Sequence, residues 1–104
     1  MSLDHALAAL ADPTRRAILA RLADGETRVT DLAQPFAMSL NAVSKHIRVL
    51  ERGGLVSRRR EGRAHLLSLA PGSLDEAAGW IEAQRDLWAW RLGQLDGALK
   101  EQTS

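Results

Sequence analysis

The chain has 104 residues, no cysteine and a hydrophobic share of 45%, which suits one domain core and excludes disulfides and thiolate metal sites. No basic-then-apolar leader opens it and its uncharged runs are too short and polar to span a bilayer, so a cytoplasmic protein without membrane contact is expected. The net charge of +1 divides into −1 over residues 1–40, +5 over residues 41–65 and −3 over residues 66–104, and a basic middle between acidic flanks points to a polyanion.

A first short helix is expected where Ser2 can act as cap and Leu3, Leu7 and Leu10 recur at helical spacing. Asp12-Pro13 then restarts the chain, with Asp as N-cap and Pro at the first helical position. This second helix should bury Ile18, Leu19 and Leu22 and end at Asp24-Gly25. Glu26 to Val29 reads as a short extended piece. Thr30 can cap a third helix from Asp31 to about Phe36, Ala37-Met38 makes a corner, and Ser39 caps a fourth helix that Gly53-Gly54 stops after Arg52. Two short helices joined by a tight corner form a helix-turn-helix pattern.

The fourth helix has two faces. Leu40, Val43, Ile47 and Leu50 form an apolar stripe, while Asn41, Ser44, Lys45, Arg48 and Arg52 lie opposite with no acid among them. A face of cations and hydrogen-bonding groups suits major-groove edges and phosphates, although a merely solvated face has similar composition. Leu55 to Arg60 and Arg63 to Leu69 then read as two strands about a Glu61-Gly62 turn. Val56, Leu67 and Leu69 would face the core, and Arg59, Arg60 and Arg63 would form the tip. A basic hairpin after a basic helix is the layout of a winged helix, whose hairpin reaches flanking backbone or minor groove.

Pro71-Gly72 closes the hairpin, and Ser73-Leu74-Asp75-Glu76 is a capping box for a final helix to about Glu101. Leu74, Ile81, Trp88, Leu92, Leu95 and Leu99 make one stripe on it, which Trp80, Leu87 and Trp90 broaden. That is more apolar surface than a core of this size needs, so a second copy is the economical partner, against the alternative of folding back over its own domain. The fold class is therefore mainly α: a single winged helix-turn-helix domain over residues 1–104, with a two-stranded β wing and a long C-terminal dimerisation helix.

Further pieces carry a family resemblance. The string from Ala9 to Leu19 (Ala-Leu-Ala-Asp-Pro-Thr-Arg-Arg-Ala-Ile-Leu), Met38-Ser39, Val43-Ser44-Lys45-His46-Ile47, Val49-Leu50-Glu51, Gly54-Leu55-Val56 and Glu61-Gly62-Arg63 together resemble the ArsR-type winged-helix repressors. The resemblance spans about residues 3 to 100. It implies a homodimer paired through first and last helices, residues 1–11 and 73–101, on a pseudo-palindromic operator in double-stranded DNA, released by an inducer. It further implies a recognition helix from Ser39 to Arg52, with Ser39, Asn41, Ala42, Ser44, Lys45 and Arg48 toward DNA and Arg59, Arg60 and Arg63 on the wing. Leu3, Leu7, Leu87, Trp88, Leu92 and Leu95 are expected between the subunits. His46, at the border of the apolar stripe, suits a structural hydrogen bond.

Metal-sensing relatives carry cysteines where this chain has Arg28 and Thr30, or His and Asp ligands on a last helix that here contains no His. His5, His46 and His65 sit in three different elements without ligand spacing. The resemblance is therefore to the branch without metal-binding cysteines, with no cofactor and no metal. Two other classes compete with a DNA-binding repressor: a winged-helix module working through protein contact, which leaves the arginine wing idle, and an enzyme, for which no catalytic residues stand out.

Overall fold

The computed structural model describes the backbone of residues 3–103 and the side chains of residues 3–97. The expected cap at Ser2 and the side chain of Leu99 lie outside the described residues. Helices α1 (Leu3–Leu10) and α2 (Pro13–Leu22) precede a two-residue strand β1 (Thr27–Arg28) and a short helix α3 (Val29–Ala33). Helix α4 (Leu40–Arg52), strands β2 (Val56–Glu61) and β3 (Ala64–Leu69) and helix α5 (Asp75–Thr103) follow. Two compact units divide the chain, one up to Leu74 and one from Asp75 onward.

The turn between α1 and α2 is fixed by side chains. Asp12 Oδ2 accepts the Arg15 backbone N–H at 3.0 Å, and Pro13 takes the first helical position, where a missing N–H costs nothing. The last carbonyls of α1 have no partner within the helix. Arg15 donates to the carbonyls of Ala8 and Ala9 at 3.0 and 2.8 Å, and Arg16 to that of Leu10 at 2.8 Å. The Asp-Pro-Thr-Arg-Arg string thus caps two helices at once.

Ile18, Leu22, Leu32, Val43, Ile47, Leu50, Leu55, Val56 and Leu67 form the core, joined by Ala6 and Ala9 of α1. Small residues on α1 let it come close to the end of α4. A Cβ on Gly53 would lie 3.0 Å from the His5 carbonyl oxygen and 3.2 Å from the Ala9 Cβ, so any larger residue there would press on α1. Two residues expected inside are not. Leu40 is 50% exposed, because at the first position of α4 it lies one turn before Val43 and lines a surface cleft, and Leu69, the last residue of β3, is 39% exposed.

The extended piece before α3 joins the wing. The sheet has strand order β1-β3-β2, antiparallel throughout, with Thr27 opposite Leu67 and Arg28 opposite Leu66. Because β1 runs straight into α3, the helix opens at Val29 with Arg28 as N-cap and no side-chain cap, not at Asp31 behind Thr30. It ends at Ala33, short of Phe36, which packs against the core from the following turn. The hairpin turn sits one residue later than expected. Glu61 pairs with Ala64, and Gly62 takes φ +60, a conformation glycine adopts without strain.

In the second unit, α5 is 29 residues long, about 43 Å at 1.5 Å per residue. Trp80, Ile81, Leu87, Trp88, Trp90, Leu92 and Leu95 are all exposed on it.

Candidate nucleic-acid interface

Burial of Val43, Ile47 and Leu50 fixes the rotation of α4 about its axis. The opposite face is thereby presented outward: Asn41, Lys45, Arg48 and Arg52 are exposed, and Ala42 and Ser44 are half-buried beside them. Ser39 starts the helix, its hydroxyl oxygen accepting the Ala42 N–H at 3.1 Å. The helix therefore carries its cationic face on a rigid support, which a reading surface requires.

His46 turns away from that face. Its Nδ1 lies 3.2 Å from Arg15 Nη1 and 3.9 Å from Asp12 Oδ2. A guanidinium offers only N–H donors, so Nδ1 accepts and the ring proton sits on Nε2. His46 is thus a structural partner of the α1–α2 turn. Asp12 is held below the usual carboxylate range, first by the Arg15 backbone N–H and then by the charge of the Arg15 guanidinium.

The wing arginines divide. Arg58 reaches back to α4, where its Nη2 and Nε donate to the Glu51 carboxylate at 2.7 and 3.4 Å. Arg59 donates from Nε and Nη2 to both oxygens of Glu26, at 2.8 and 2.7 Å, while its Nη1 lies 3.2 Å from Glu61 Oε2. These hydrogen bonds hold the Glu26 carboxyl below, and the Arg59 guanidinium above, their ordinary ranges. Arg60 Nε donates to the Gly62 carbonyl at 3.1 Å, and Arg63 stands exposed in the turn. Of the three arginines expected at the tip, Arg60 and Arg63 are there; Arg59 is engaged with carboxylates. Arg58 and Glu26 were not anticipated, and only the 33-residue contact made by the sheet brings Glu26 to the wing.

Between the starts of α3 and α4 and the hairpin lies a cleft of about 430 Å³, lined by residues including Arg28, Thr30, Leu40, Ser44, Arg58, Arg63 and His65. Among the described residues no group of three His, Cys, Asp or Glu is gathered as for a metal ion, and no helix is long and apolar enough to cross a membrane.

A helix-turn-helix domain family matches residues 10–59, from the end of α1 into β2. The transcriptional repressor SdpR of Bacillus subtilis is 30% identical over 79 residues, which cover 76% of this chain and 88% of that protein. An ArsR family transcriptional regulator of known crystal structure, RHA00566, superposes with a TM-score of 0.78 at 38% identity, over 84% of this chain and 96% of that one. The chain belongs to the ArsR family of transcriptional regulators.

Two further similar proteins frame how far the likeness reaches. The regulator Rv2034 of Mycobacterium tuberculosis is 45% identical over 71 residues, 68% of this chain and 66% of that protein. The homodimeric winged helix-turn-helix DNA-binding domain Mb0332 of Mycobacterium bovis superposes with a TM-score of 0.65 at 31% identity, over 80% of this chain and 77% of that one. The winged helix-turn-helix class expected from sequence is the one observed.

Proposed function

We propose that this ArsR-family chain is a cytoplasmic, sequence-specific DNA-binding regulator that acts as a homodimer and represses by occluding a pseudo-palindromic operator. The observation that carries the reading is the outward face of α4, cationic and free of acids, on a helix whose other face is locked in the core. In this reading α4 enters the major groove. Asn41, Ala42, Ser44, Lys45 and Arg48 meet base edges and phosphates, Ser39 sits at the helix start, and Arg60 and Arg63 reach flanking backbone. Arg59 belongs to the wing, where Glu26 and Glu61 engage its guanidinium.

Two such helices must enter successive grooves about 34 Å apart, which calls for a two-fold partner. Leu87, Trp88, Leu92 and Leu95 on α5, and Leu3 and Leu7 on α1, are the residues proposed between the copies. Support comes from the exposure of the four α5 side chains and from the homodimeric state of Mb0332. An inducer would release such a repressor. No catalytic residue is assigned.

The test is the salt dependence of duplex binding. If about three cations per subunit contact phosphate, the dimer neutralises about six, and log K falls against log salt with a slope near −5. A salt-independent affinity would instead favour a module working by protein contact, for which the exposed tryptophans of α5 would be the working surface.

A further inference from the structure

The two faces of the hairpin carry different charge. Alternation along β2 puts Arg58 and Arg60 on the face of buried Val56, opposite Leu67 and His65, and puts Arg59 and Glu61 on the other, opposite Leu66 and Ala64. On that second face one guanidinium serves two carboxylates, Glu26 and Glu61, so the cluster has a net charge of −1. A phosphate approaching Arg59 meets two like charges already within reach of the same donors.

The first face opens onto the cleft beside α4. Arg58 and His65 of that face line it, together with Arg63 from the turn, Arg28 from the end of β1 and the hydroxyl-bearing Thr30 and Ser44, and no carboxylate is among its lining residues. Glu51 compensates Arg58 from α4. Neither Arg28 nor Arg63 makes an ion pair among the described residues, so these two leave the cleft positive. Ser44 makes it continuous with the outward face of α4.

We infer that the wing binds DNA with one face only: the cleft between α4 and the hairpin takes a backbone phosphate through Arg63 and Arg28, while Arg59 is a positioning residue that ties the hairpin to the loop before β1. This rests on the DNA-binding reading and assigns within it a site that includes Arg28, which lies outside the basic segment, and sets Arg59 apart from the contacts.

The experiment is log K against log salt on one fixed duplex for the wild-type chain and four variants. Arg63→Ala and Arg28→Ala should each flatten the slope by about 0.9 per subunit, close to 2 for a dimer. Arg59→Ala should keep the wild-type slope even where loosening the hairpin lowers affinity severalfold. The double variant E26Q/R59Q keeps hydrogen-bonding side chains at both positions without their charges, and should return affinity toward wild type at that same slope.

An Arg59→Ala slope flattened as much as that of Arg63→Ala overturns the inference, and so does an unchanged Arg28→Ala slope. A wild-type protein with no salt-dependent duplex binding defeats the underlying reading instead. Inorganic phosphate added to the DNA-free protein at constant ionic strength separates the two sources of phosphate. Thermal stabilisation by phosphate that Arg63→Ala removes, with the DNA slope of that variant unchanged, would make the cleft a free-anion site and also overturn the proposal.

Discussion

Helices α4 and α5 both carry long apolar stripes, yet within their own units the two stripes fare differently. On α4 the stripe is consumed from Val43 onward: Val43, Ile47 and Leu50 are fully buried, Leu40 at the helix start stays half-exposed, and the opposite face is left to polar and cationic groups. On α5 Trp88, Leu92 and Leu95 are 62%, 66% and 59% exposed, and Trp80 and Trp90 widen the apolar arc. A lone helix has no interior in which to hide such residues, so its unit cannot satisfy them by itself. Periodicity therefore says that a helix has an apolar face, and the structure says whether the helix's own unit covers that face.

The sharpest way to break the comparison is to charge the unsatisfied stripe. Leu92→Glu or Trp88→Glu buries a carboxylate in both copies of a symmetric interface, and unpaired buried charge is costly enough to separate subunits. Loss of the dimer in sedimentation and loss of operator binding are expected together, with far-UV dichroism kept. A dimer that persists would place the partner of α5 elsewhere.

The next effect tests the satisfied stripe. Ile47→Ala should cost about 2–5 kcal/mol in chemical denaturation, because it opens a cavity where nothing exposed can collapse into it. Leu95→Ala, measured at dilutions where copies are apart, should cost far less. Equal costs would mean that α5 buries Leu95 in the monomer.

A smaller effect belongs to the outward face of α4. Lys45→Ala or Arg48→Ala should weaken operator binding by about 1–3 kcal/mol and relax specificity if they read bases, with stability unchanged. A uniform loss across sequences would make them phosphate contacts.

Much of this contrast was legible in the residues, and what was not has a common cause. The α4 stripe, its Ser39 cap and its glycine stop are local signals, and they fixed that element within a residue. Thr30 looked like an equally good cap, but the helix start is set by β1 pairing with β3, a contact across 38 residues at Arg28 and Leu66 that no local pattern carries. The hairpin turn moved by one residue for the same reason, since cross-strand pairing of Glu61 with Ala64 decides where the strand ends. Proximity in sequence groups Arg59 with Arg60 and Arg63, while alternation along the strand sends it to the other face, toward Glu26. The Asp12-to-Arg16 string marked the family before its physical work was visible, which is to hold the end of α1 and the start of α2 together.

The smallest expected effect separates support from interface at a single residue. Ser39 both caps α4, through its hydroxyl and the Ala42 N–H, and stands where the helix would meet DNA. Ser39→Ala removes the cap and should lower stability by about 1 kcal/mol. Ser39→Asn keeps a cap of similar strength without charge and should leave both stability and DNA affinity close to wild type. Ser39→Asp also caps, and its charge favours the positive end of the helix dipole, so stability should hold or rise. That same carboxylate would face phosphate, so DNA affinity should fall while the fold gains. The comparison needs only thermal unfolding and a binding curve for each variant at one salt concentration. Stability and affinity that rise together in Ser39→Asp would mean that the start of α4 does not lie against the duplex.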